Sequence, residues 1–90
     1  MPSYLVETFL SRGHAAECSE RWERAASAAE ELTREGTRVR FDHTIYVPED
    51  EICFFVVDAP SSRDAVLAAE RAQLEPLRVV EAVSSGKETQ

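Results

Sequence analysis

Glycine is scarce in this 90-residue chain: Gly13, Gly36 and Gly86 are the full set. That excludes the glycine-rich loops that cradle phosphates. Cysteine is as rare, with Cys18 and Cys53 far apart, so there is no C-x-x-C pair to build a zinc knuckle or a redox motif. The two read as small buried hydrophobes. Histidine occurs twice, as His14 and His43, and neither H-E-x-x-H nor G-x-S-x-G occurs. No apolar run approaches the ~18 residues of a membrane span. The opening MPSYLVETFL lacks the basic n-region and cleavage site of a signal peptide, so the expected compartment is the cytoplasm. Basic residues are outnumbered by acidic ones, 10 to 17, for a net charge of −7. A phosphate backbone would repel such a surface, which argues against a nucleic-acid partner.

What is present is an ordinary globular composition, 43% apolar and 30% charged, in a length that supports one modest core. Residues 1–84 are expected to form a single domain, and the polar stretch 85–90 a flexible tail. Ser3 to Leu10 reads as a first strand. His14 to Glu35 follows with Cys18, Trp22, Ala25, Ala29 and Leu32 at helical spacing, an alanine-rich stripe that lets a helix sit close to a sheet. Gly36 falls where a helix ends in the left-handed conformation. Arg38 to Val47 reads as strand two, Pro48 to Asp50 as a turn, and Glu51 to Asp58 as strand three. Strand three is apolar on both faces, which predicts a central position covered on both sides. Ser61 opens an S-x-x-D helix start running to about Leu74, with Val66, Ala69 and Leu74 inward. Leu77 to Val83 is strand four.

The order β-α-β-β-α-β predicts an α+β, ferredoxin-like domain: an antiparallel sheet of order 4-1-3-2 with two helices on one face. The other face then has no cover. An apolar face of that kind marks a partner surface, so the expectation is a homodimer packed sheet to sheet, of the dimeric α/β-barrel type.

The strand VRFDHTIYV poses the functional question. Period-two reading places Val39, Phe41, His43, Ile45 and Val47 on one face. A histidine among apolar neighbours suggests that something polar meets it, because an unpaired buried polar group costs several kcal/mol. Glu7 lies with Leu5 and Phe9, Glu81 with Leu77, Val79 and Val83, and Asp58 with Ile52, Phe54 and Val56. Glu7 and Glu81 also have arginines within reach of the fold, namely Arg12, Arg40 and Arg78. His14 and Cys18 stand four apart, but two ligands without a third make a weak site. A Cys53–His43 dyad is disfavoured, since the hairpin turn brings His43 near Phe55 or Val56.

The opening PSYLVETFL, the segment D-H-T-I-Y-V, the run F-F-V-V-D-A-P-S and the closing LRVVEAV together span Pro2 to about Val83. In these segments the chain resembles the small nickel-responsive ferredoxin-like proteins of actinobacteria, otherwise described as a domain of unknown function. The resemblance implies a homodimer that binds nickel or a similar divalent transition metal, without enzymatic activity. It implies His43 as the leading ligand position, then Glu7; Asp58 joins them as a candidate from its place at the end of strand three, in the parity of Ile52, Phe54 and Val56. The alternative is a small-molecule binder or enzyme of the dimeric α/β-barrel type, with an enclosed pocket near His43 walled by Trp22 or Phe41.

Overall fold

In a computed structural model that describes residues 1–83 and 85, the chain forms four strands and two α-helices. The strands are β1 (Ser3–Phe9), β2 (Arg40–Val47), β3 (Ile52–Asp58) and β4 (Arg78–Ala82), and the helices are α1 (Glu17–Arg34) and α2 (Ser62–Arg71). They make one antiparallel sheet in the order β2-β3-β1-β4, which is 4-1-3-2 read from the other edge. β3 is internal, as its two-sided apolarity requires. The tail expected over 85–90 lies, Ser85 aside, outside the described residues.

Local chemistry accounts for the helix ends. α1 closes with Gly36 at φ 106°, where a side chain would be strained. Gly36 N–H donates to the Thr33 carbonyl and Thr37 N–H to that of Leu32, the paired bonds of a Schellman ending. α2 opens on Ser61, whose hydroxyl oxygen accepts from Asp64 N–H at 3.2 Å. The first helix starts later than its periodicity suggests. His14 belongs to a short 3-10 turn (Arg12–His14), so His14 and Cys18 do not share one regular helix.

The core lies between the sheet and the helices. Alternate strand residues Tyr4, Val6 and Thr8, then Cys53, Phe55 and Val57, are buried against Ala25, Ala28 and Leu32 of α1 and Ala65, Ala68 and Ala69 of α2. Phe55 meets Phe41 edge to face, with ring centroids 6.2 Å apart. Thr8, the buried polar side chain, donates to the Cys53 carbonyl and accepts from Arg21. Val66, expected inward, is only half-buried, because Ala65, Ala68 and Ala69 form the stripe that meets the sheet. Arg71 fastens the helices together by reaching Glu31 and Glu35 of α1 at 3.1 and 3.0 Å.

The face of the strand histidine also departs from the sequence expectation. Phe41 pairs with Val57 and His43 with Val56, so Asp42 is an extra residue in β2, a β-bulge. The bulge reverses the parity of the strand. Phe41 stays on the helix side and is buried, whereas His43, Ile45 and Val47 fall on the other face beside Val56, Phe54 and Ile52. A strict period of two had placed all of them together.

Candidate functional site

The face of the sheet turned away from the helices has a simple layout. Three cross-strand rows run over it: Arg40, Asp58, Ser3, Ala82; then His43, Val56, Leu5, Val80; then Ile45, Phe54, Glu7, Arg78. Val47, Ile52 and Phe9 close one end. Most of these side chains are apolar and no helix covers them. Phe9 is 54% exposed and Ile45 46%.

All three expected ligand positions, His43, Glu7 and Asp58, lie on this face, but the fold does not bring them together. Across two strands, the His43 and Glu7 backbones stand about 12 Å apart by strand geometry. Glu7 is also about 13 Å along β1 from the row of Asp58. Each carboxylate has an arginine. Glu7 accepts from Arg78 Nε at 2.7 Å. Asp58 accepts from Arg40 Nη2 at 2.8 Å and from the Ser3 hydroxyl at 2.7 Å. Among the described residues no three of His, Cys, Asp and Glu gather as a metal site. Glu81 is exposed and pairs in register with Tyr4.

His43 is held differently. Its Nδ1 lies 2.7 Å from Asp42 Oδ2. A carboxylate accepts, so Nδ1 is the donor in this contact, and in a neutral ring that leaves the lone pair on Nε2. That orientation, a carboxylate behind the ring and an open nitrogen in front, is the one metal-ligating histidines adopt. Asp42 is the bulge residue and was not singled out in the sequence. The signal was present as an acid directly before the strand histidine, but only the bulge turns the two into partners. Asp42 also lies 3.4 Å from Arg40, so a chain of polar contacts runs from His43 through Asp42 and Arg40 to Asp58.

The environment of Asp58 gives a pH prediction. Partial burial pushes its carboxyl upward, but the Ser3 hydrogen bond and the Arg40 guanidinium outweigh that and hold it below its ordinary value of 3.8. A lowered folded value means stability that is whole above the unfolded pKa and is lost as pH falls through the folded one. Asp58→Asn therefore lowers the urea midpoint at pH 7, and the gap to wild type narrows towards pH 3.

The cysteines are free thiols in unlike settings. Burial, chiefly, pushes Cys53 up to about 11, while Cys18 is partly exposed where α1 meets β2. A thiol reagent at pH 8 is expected to label one thiol per native chain quickly, Cys18, and the second only on unfolding. Two fast thiols would contradict the packing around Cys53. Cys53 pairs across the strands with Tyr46, not His43, so the dyad disfavoured in the sequence is not formed. Between α1 and β2 lies an open cleft of about 500 Å3, with Trp22 on one wall and His43 on the other. Phe41 is in the core and does not line it.

These features define a small α+β domain that fits a ferredoxin-like fold, with a bare sheet face and one oriented histidine at its edge. No family model and no curated protein matches the chain. It superposes on the crystal structure of SCO4226 from Streptomyces coelicolor A3(2) with a TM-score of 0.76, over 93% of this chain and 99% of that one. At 12% identity the likeness speaks for the fold alone.

Proposed function

We propose that two copies of this chain pack through their uncovered sheet faces and that the homodimer binds nickel or a similar divalent transition metal. The reading is non-enzymatic and cytoplasmic, in keeping with the free thiols. The observation that carries it is the placement of His43 on the same bare apolar face as Leu5, Phe54 and Val56, with Asp42 holding its ring so that Nε2 is open. One chain does not complete a site. It supplies one imidazole, which in its neutral form is a donor suited to nickel, copper or zinc, and a second copy would supply another. Glu7 and Asp58 are tied to Arg78 and Arg40 and would have to exchange those partners to take part.

Calorimetric titration of the metal-free protein with nickel at pH 7.5 tests this. The expected result is micromolar or tighter binding, near one ion per two chains, lost in His43→Ala. Absence of binding by the wild type removes the metal and leaves the dimer to be judged separately. The second reading, a small-molecule site beside His43, has the open cleft in its favour, although that cleft is not the enclosed pocket such a site leads one to expect.

A further inference from the structure

The cleft has a chemistry of its own. Its volume, about 500 Å3, is in the range of small-ligand sites. Ser19, Trp22 and Glu23 of α1 face Asp42, His43 and Thr44 of β2 across it. Among the described residues no arginine lines it. Trp22 is a bulky apolar residue on an alanine-rich helix face and, unlike the buried Leu32, it stays partly exposed. The bulge puts Asp42 at this rim, and bulges beside binding sites act in this way, by re-aiming one side chain. Asp42 already has His43 and Arg40 beside it, but Glu23 takes part in none of the ion pairs among the described residues. An aromatic wall with an uncommitted carboxylate, where His43 is the one basic side chain among the described lining residues and is turned to Asp42, complements one kind of ligand.

We propose that this cleft binds a small protonated amine with an aromatic body. The ammonium meets Glu23 and Asp42, and the indole of Trp22 receives the ring or the cation on its face. Ser19 and Thr44 offer hydroxyls that orient a polar substituent. A carboxylate ligand of the same shape would meet like charge and be rejected. The inference develops the cleft reading and does not depend on the metal.

Trp22 is the only tryptophan in the chain, so its fluorescence reports on the cleft alone. The full chain is titrated at pH 7, with EDTA present, against phenethylamine, 2-phenylethanol and 3-phenylpropionate. The expected result is saturation by the amine with a Kd of about a millimolar or tighter, as its few heavy atoms allow. The alcohol should be about tenfold weaker and the carboxylate weaker again. Glu23→Gln, an exposed change that does not touch the core, should weaken the amine about three- to tenfold and leave the alcohol unaffected. No response to any of the three, or an alcohol as tight as the amine, would overturn the proposal. Because chelator is present, neither result bears on nickel.

Discussion

Phe54→Lys is expected to convert the proposed homodimer to a folded monomer. Phe54 sits in the middle of the bare face, between Ile45 on β2 and Glu7 on β1. Its neighbour Phe55 points the other way and is wholly buried, so the fold of the monomer does not depend on position 54. In a two-fold interface each substitution appears twice, and each lysine would have to leave water or be held at the seam. An unpaired charge taken from water costs several kcal/mol, comparable to the free energy that holds a micromolar dimer together. Lysine is the better choice than aspartate, because an aspartate opposite Glu7 would destabilise the monomer by like-charge repulsion and blur the result. Sedimentation velocity beside far-ultraviolet circular dichroism reads both properties. The account predicts half the mass with an unchanged spectrum, together with weaker nickel binding. An unchanged mass would place any partner surface elsewhere.

Phe55→Ala is expected to cost about 3–5 kcal/mol of stability. The side chain is fully buried on the helix side of the sheet and holds the edge-to-face contact with Phe41. The helices that cover the sheet bury mostly alanine, Ala25 and Ala28 on one and Ala65 and Ala68 on the other. Alanines have no side-chain reach with which to close a void, so the cavity should persist and the loss should fall high in the range. A domain of this size has about 5–15 kcal/mol in total, so the variant would be close to unfolding. Urea denaturation at fixed protein concentration measures the change. Fixing the concentration matters, because an associating chain gains apparent stability by mass action. A loss below ~1 kcal/mol would mean that the core is not centred on β3.

The contrast between these neighbours shows what the sequence reveals. That β3 is internal follows from Ile52 to Val57, where apolar residues occupy both parities. The ends of the helices follow from Gly36 and Ser61, whose preferences act over three or four residues and need no distant partner. The face of His43 was not legible in the same way. Alternation tells which residues share a face only while no residue is inserted, and nothing in Phe41-Asp42-His43 announces a bulge. Its existence depends on the register with β3, a long-range property. The pairing of Glu7 with Arg78 and of Asp58 with Arg40 is also long-range, set by strand order. Sequence could name the arginines within reach of Glu7 but not choose among them. The candidate site was therefore legible as residue types and strands, and not as distances.

The account rests above all on the bare sheet face being an interface between copies of this chain. Sedimentation equilibrium of the wild-type protein at tens of micromolar, in metal-free buffer, tests this directly. The account predicts a mass near twice the 10.1 kDa of the chain. A mass near 10.1 kDa across that range would contradict it.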